Sequence, residues 1–559
     1  MGLVANHDLQ PAQLSGDLPV KAHCLPFSQI PHTTRLFADF LSHSPHTQPF
    51  YPRSANFCEW LKEENASLNY DPALRQRVAV ILERQNQAWD ASLKTLENLA
   101  RLRAGASAVV TGQQVGLFGG PSFALYKALT AVKLADEATR AGVDCVPIFW
   151  LATTDHDLAE INHVSLPGAN ATPVRLTSSA QGLPEAPVST VTFGPEIEPL
   201  VEEALALLGE SDHSRLLRQC YRPGETMGSA FARLFARLFA DWGVILLDAS
   251  DPELHQAAEP IYRAAIERAP ELDDALLSRG QALEAAGYHQ QVKVTPSSTL
   301  LFTLRDGARV PIHRRINGDS SIDFLVGDER IPQAEMVGRI AAAPHHFSAN
   351  VLLRPVVQDY LLPTLAYTGG AAEVAYFAQA GVVYQALLGR VTPVIPRFSA
   401  TVVEAKPQAL LERYGLALPD LFHGPDALRE LLGERTLPRD LETAFGQANT
   451  SLENSLAAIR DALARLDVTL VDAASRAGSK MQHQLTELRA RAARAELRQS
   501  EVLGRHAELL SNNLFPNKAL QEREVAGIYF VARYGTGLLH QLYDTIHTDC
   551  LDHQVVSLD

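Results

Sequence analysis

The chain has 559 residues, 46% of them hydrophobic, which is enough for a large core and for roughly three to four domain-sized units. Acidic residues outnumber basic ones by 64 to 49, and the net charge of −15 argues against general nucleic-acid binding or attraction to anionic membranes. No apolar run approaches the ~20 residues of a membrane span. The start MGLVANHDLQ carries neither a signal-peptide nor a myristoylation pattern. Cys24, Cys58, Cys145, Cys220 and Cys550 are scattered without a CxxC, as suits a reducing cytoplasm, and offer no structural zinc pattern.

Residues 1–70 read as irregular, and one long amphipathic helix is expected from about Pro72 to Arg103. The most informative stretch follows at 107–163, SAVVTGQQVGLFGGPSFALYKALTAVKLADEATRAGVDCVPIFWLATTDHDLAEINH. Ala108–Thr111 is a short apolar strand. Gly112, Gly116, Gly119 and Gly120 allow a turn that approaches a ligand closely. Pro121 suits the first turn of a helix that runs to about Arg140. A second strand, Cys145–Ala152, empties into Thr153-Thr154-Asp155-His156-Asp157. Parallel strands joined by a right-handed crossover put both loops at the carboxyl edge of a sheet. A glycine-rich cradle and an acidic cluster should therefore face one crevice, with residues 1–164 forming the N-terminal segment and the first half of a core.

Residues 165–224, rich in Pro, Ser, Thr and Gly and alternating at Val188–Phe193, read as a small β-containing insertion. Residues 225–275 return to the core, with a helix at Ser229–Trp242 and a strand ending at Asp248. Alternation over 287–326 marks 276–349 as a second β-rich insertion. Residues 350–406 complete the core, with Gly369-Gly370 before a helix starting near Ala371. Residues 407–510 form a helical domain. Leu456, Ile459, Leu463, Leu466 and Leu470 make an a/d seam, continued more loosely through Ala473, Ala477, Met481, Leu485, Leu488 and Ala492. An antiparallel or partner-seeking coiled coil is expected over about 445–510, the alternative being an amphipathic helix on its own domain. Residues 511–559 return to the core.

The glycine-rich loop is not a Walker A motif, because Lys127 lies well inside the helix, and its spacing is not the dinucleotide fingerprint. The helix N-terminus behind it still suits an anion, and Gln113 and Gln114 add amide groups. Asp155, His156, Asp157, Glu160 and His163 are residue types that bind metals, but their spacing matches no helical H-E-x-x-H arrangement. Carboxylates that bind an ammonium or sugar hydroxyls are the preferred reading, and solvated loop acids are the bland one. Arg354, Arg397 and Lys406 are candidates for anion recognition, since guanidinium forks match carboxylates.

Seven segments in order resemble the BshC family: VTGQQVGLFGGPSFALYKALTAVKLA, VPIFWLATTDHDLAEINHV, LFADWGVILLDASDP, AGYHQQV, NVLLRPVVQDYLLPTLAYTGGAAEVAYFAQ, TPVIPRFSATVVE and LFPNKALQER. Ala371-Ala372 stands where the family usually has Pro-Gly, and Lys518 where a glycine is common. The resemblance implies an α/β fold: a Rossmann-like core of class I nucleotidyl-transferase type, interrupted by connecting-peptide insertions, with a coiled-coil domain that promotes homodimers. It implies cytoplasmic ligation of L-cysteine to the amine of glucosaminyl-malate in bacillithiol biosynthesis, with ATP activating the cysteine carboxylate. On that reading Asp155, His156 and Asp157 are catalytic. Gly112, Gln113, Gln114, Gly119, Gly120, Asn162, Arg354 and Arg397 bind substrate, and Asn517, Gln521 and Arg523 line a nucleotide site. No metal site, nucleic acid or membrane is expected. The rivals are another amino-acid ligase or nucleotidyl transferase on this fold, and a non-catalytic nucleotide-binding scaffold.

Overall fold

The computed structural model describes residues 20–319, 321–499, 501–547 and 550–558. Part of the stretch expected to be irregular, 1–19, lies outside these residues. The described part of that stretch is more ordered than expected, with helices at Arg35–Leu41 and Phe57–Ser67. The first is capped by Thr34 and buries Leu36, Phe37 and Phe40, so packing stabilises helices too short to stand alone. The helix expected from Pro72 to Arg103 is two, Pro72–Ala88 and Leu93–Ala104. Asp90 takes a positive φ, and the Ser92 side chain caps the second helix by accepting from Thr95 N.

The chain divides into two compact units: residues up to 166 with 174–401 and 522–554, and 167–173 with 402–521 and 555 onward. The larger unit is built on a five-stranded parallel sheet. In chain order its elements are β1 (Ser107–Gln113), α1 (Phe123–Arg140), β2 (Cys145–Leu151), β3 (Ile245–Asp248), α2 (Arg354–Leu361), β4 (Thr364–Gly369), α3 (Ala371–Leu388) and β5 (Val394–Pro396). The strand order is β5-β4-β1-β2-β3. Val110 pairs with Ile148 on one side and Tyr367 on the other. The strands are continuous apolar runs because both faces are covered. Val109 and Ile395 pack with Ala131, Leu134 and Ala135 of α1, while Val110, Ile148 and Leu247 enter the core on the opposite face.

The chain leaves β1 toward β2 on one side and leaves β4 toward β5 on the other, so β1 and β4 flank the topological switch point where open α/β sheets bind ligands. Residues 298–349 add a five-stranded antiparallel sheet, in the order 329–332, 322–326, 308–316, 298–305, 347–349. The expected insertion at 165–224 does contain a strand, Pro173–Thr177, but the alternating run at Val188–Phe193 contributes only an isolated antiparallel bridge from Thr192 to Thr226. Val188–Thr190 is a helical turn closed by Thr190 Oγ1 on the Pro187 carbonyl, and its neighbours are the helices Ile197–Leu208 and Leu216–Cys220. Cys24 and Cys550, far apart in sequence, are joined as a disulfide.

In the smaller unit, α4 (Arg439–Leu466) and α5 (Leu470–Gln499) form a hairpin. Glu442 pairs with Arg489 at 3.1 Å, and Leu456 meets Gly478, so the helices run antiparallel. The expected seam through Leu466 and Leu470 is interrupted at Asp467, whose Oδ1 accepts from Thr469 N and ends the first helix. Among the described residues no helix is long and apolar enough to cross a membrane.

Candidate active site

A cavity of about 530 Å³ opens at the switch point. Gly112, Gln113 and Gln114 at the end of β1 form one wall, and Tyr367 and Gly370 at the end of β4 the other. Its ionic centre is Lys127, in the second turn of α1 and only 3% exposed. The Lys127 ammonium donates to the Gly112 carbonyl at 2.7 Å and to Gln113 Oε1 at 2.8 Å, and pairs with Glu373 at 2.7 Å. Glu373 also accepts from Tyr367 Oη and from Gly370 N, which closes the first turn of α3. Burial alone would raise the Glu373 pKa, but Lys127 and these donors hold it below the usual range. Burial also lowers Lys127, with Glu373 opposing.

Arg354 enters at the start of α2, under Trp150 and Tyr367 with its guanidinium 5.3 Å from the Tyr367 ring. It donates to Gln358 Oε1 and Tyr376 Oη and has no carboxylate partner among the described residues, so it remains a cation facing the cavity. Arg397 is differently placed. Glu522 takes its two terminal nitrogens at 3.0 and 2.6 Å, and Phe398 O takes one of them again. Only its Nε side meets the cavity, beside Gly370. Arg397 is therefore an anchored cation whose fork is not available to grip a carboxylate. Glu522 also accepts from Ser399 Oγ and Ala400 N, and Ser399 Oγ in turn contacts His553 Nδ1 at 2.8 Å. Arg523 lies exposed on the cavity wall without a hydrogen-bond partner among the described residues.

The remaining expected positions lie outside this cavity or are engaged by other protein groups. Asp155, His156 and Asp157 do not line this cavity. Asp155 accepts from Gln114 Nε2 at 2.7 Å and from His156 N at 2.8 Å. The Asp157 side chain caps the helix Leu158–Ile161 through Glu160 N. Arg309, which can only donate, bonds His156 Nδ1, so Nε2–H points to Glu185 at 3.0 Å and neither ring nitrogen is left for a substrate proton. His156 and Asp157 instead edge a separate pocket of about 350 Å³. Glu160, bonded to Gln114, is the member of the acidic cluster that reaches the central cavity. Asn162 ends that same short helix, beside His163, outside both cavities.

Gly116, Gly119 and Gly120 do not line this cavity. A Cβ on Gly116 would come within 2.9 Å of Gly120 Cα, and Gly119, at φ +89°, donates its N–H to Tyr221. The start of α1 is closed by the Val525 carbonyl, which accepts from Ser122 N and Oγ, and Pro121 pairs with Ala526 instead of opening the helix. The helix N-terminus that does border the cavity belongs to α3, through Gly370, Ala371 and Ala372. Gln521 is buried, with its amide fully engaged by the Val402 main chain and Asn513 O, so it has nothing left for a nucleotide. Asn517 sits at φ +52° in a short turn. Lys406 lies on the smaller unit, outside this cavity. Among the described residues no cluster of three or more His, Cys, Asp or Glu is arranged to hold a metal.

Lys127, Glu373, Tyr367 and Tyr376 escaped the sequence reading. The usable signal was a lone charge in an apolar helix: Glu373 is the only charged residue of α3, and Lys127 interrupts FALYKALTAV.

The model of "Bacillithiol biosynthesis BshC, N-terminal Rossmann-like domain" matches residues 20–398, and that of "Bacillithiol biosynthesis BshC, C-terminal coiled-coil domain" matches 400–558. A protein of Koribacter versatilis named "Putative cysteine ligase BshC" is 51% identical over 533 residues, 95% of this chain and 99% of its own. Proteins of the same name from Solibacter usitatus and Salinibacter ruber are 38% and 32% identical, covering 95% and 96% of this chain and 99% and 98% of theirs. With both domain models matched in order and relatives aligned over nearly its whole length, the chain belongs to the BshC family.

Proposed function

We propose that this protein is a ligase that joins the carboxylate of L-cysteine to the amine of glucosaminyl-malate, the cysteine-adding step of bacillithiol biosynthesis. The supporting observation is the switch-point cavity, which sets the unpaired Arg354 and Arg523 and the start of α3 against the amide wall of Gln113 and Gln114. A carboxylate is a poor acyl donor because oxide would have to leave, so we take ATP as the co-substrate that supplies a better leaving group. Positioning and charge stabilisation then do most of the work. Arg354 and Arg523 suit the malate carboxylates or a phosphoryl group. Glu373 is already saturated by Lys127, Tyr367 and Gly370 N–H, which leaves Glu160 to meet an ammonium and receive the amine proton as the amide forms.

The hairpin exposes Ile459, Leu466, Met481 and Leu488 to between 50% and 78%, which favours pairing with a second copy of the chain. We place the enzyme in the cytoplasm, where Cys24 and Cys550 would be kept as thiols rather than joined as a disulfide. The test is thiol profiling in a host lacking the gene. Loss of bacillithiol with build-up of glucosaminyl-malate, restored by the gene, supports the reading. Unchanged bacillithiol without a second copy rejects it in favour of another ligase on the same fold.

A further inference from the structure

We propose that Lys127 is a positioning residue that fixes the Gln113 side-chain amide with its NH2 toward the cavity, making Gln113 an obligate hydrogen-bond donor to a substrate carboxylate. The proposal rests on the reading of the cavity as the substrate site. A lysine ammonium has three protons. Those of Lys127 are taken by Gly112 O, Gln113 Oε1 and Glu373 Oε2, so it has none to offer a substrate and no lone pair to act as a base. Burying such a charge costs free energy that an apolar side chain would not. What the charge accomplishes is to tie the end of β1 to the start of α3.

It also settles which way Gln113 faces. A flipped amide would set NH2 against NH3⁺, two donors with no acceptor between them, so the orientation follows from charge. Gln113 Nε2 has no partner among the described residues and lies on the cavity wall with Arg354. Gln114 is held the opposite way, because its Nε2 donates to Asp155 at 2.7 Å and Glu160 at 2.9 Å, leaving Oε1 to accept. Adjacent glutamines thus present a donor and an acceptor. A ligand matching both carries a carboxylate oxygen beside an ammonium or hydroxyl.

The experiment is calorimetric titration of the purified full chain with L-malate as the carboxylate probe, with L-cysteine and glucosaminyl-malate titrated in parallel. Gln113→Glu is nearly isosteric, keeps an acceptor for Lys127 and replaces the donor by an anion. It should weaken the carboxylate ligand by about ten- to hundredfold, the worth of a hydrogen bond to a charged group. Lys127→Met should weaken the same ligand, but by less than tenfold in a Gln113→Ala background and by more in the native one, because it acts through Gln113. Unchanged binding by Gln113→Glu, fully additive losses, or no carboxylate binding by the native chain would each overturn the proposal. Gln113-dependent binding of L-malate in a protein that fails to restore bacillithiol would sustain it while removing the proposed function.

Discussion

The Arg397–Glu522 pair offers the sharpest test of how the cavity wall is held. Their side chains are 6% and 1% exposed, and Glu522 receives hydrogen bonds from both terminal nitrogens of Arg397, from Ser399 Oγ and from Ala400 N. Ser399 Oγ and one guanidinium nitrogen bond Glu522 Oε1, while Ala400 N and the other bond Oε2. In Glu522→Gln the amide oxygen can replace only one of the two, and the NH2 sets a donor against a guanidinium N–H and against Ser399 or Ala400. The larger loss is a buried cation left without a counter-charge, which costs about 3–5 kcal/mol. All four tryptophans, Trp60, Trp89, Trp150 and Trp242, belong to the larger unit, so their fluorescence follows its unfolding in urea. With an m-value of about 3 kcal/mol/M or more for a unit of this size, the midpoint should fall by about 1 M. Adding Arg397→Met removes the stranded charge and should recover more than half of the loss. A midpoint no lower than that of the exposed control Glu63→Gln would refute the claim that Glu522 holds Arg397 in place.

Other consequences concern pH, packing and assembly. Burial lowers His255 and His553 to about 4, so between roughly pH 6.5 and 4 the unfolded chain binds more protons than the folded one. Stability should fall as pH drops through that window, by about 3 kcal/mol per histidine, and His553→Gln should flatten the urea midpoint against pH. Gly116→Ala should destabilise by about 1–3 kcal/mol through overpacking, a loss seen in the melting temperature of the unliganded protein; a ligand cradle would instead lose binding at unchanged stability. Lys518, at φ +61°, should gain about 1 kcal/mol on replacement by glycine, read as a raised denaturation midpoint. Ile459→Asp with Met481→Asp should convert a dimer to a monomer by light scattering, without loss of helical circular dichroism.

Much of the core was legible because its strands are buried on both faces. Val109 and Val110 point to opposite faces and are both fully buried, so β1 appears as an unbroken apolar run bounded by glycine. The same logic holds for β2 and for Gly369-Gly370 before α3. The site was legible only in part. Gln113, Gln114 and Arg354 do line the cavity, but a capped turn and a ligand loop use the same residue types. Nothing local to Asp155-His156-Asp157 reveals that Arg309 and Glu185 will claim the histidine. Nor does the glycine-rich loop announce that Val525 will close the helix behind it. Those partners come from distant segments, and only the fold brings them in. The coiled-coil seam had the right period, but periodicity runs past a three-residue turn without registering it.

The central claim is that chemistry takes place in the switch-point cavity. It is tested most directly by complementing a strain that lacks the gene with Arg354→Met, at protein levels matched to the native form, and measuring its thiols. The account predicts that bacillithiol is lost and glucosaminyl-malate accumulates. Bacillithiol at the native level, with Arg354→Met as stable as the native protein, would contradict it.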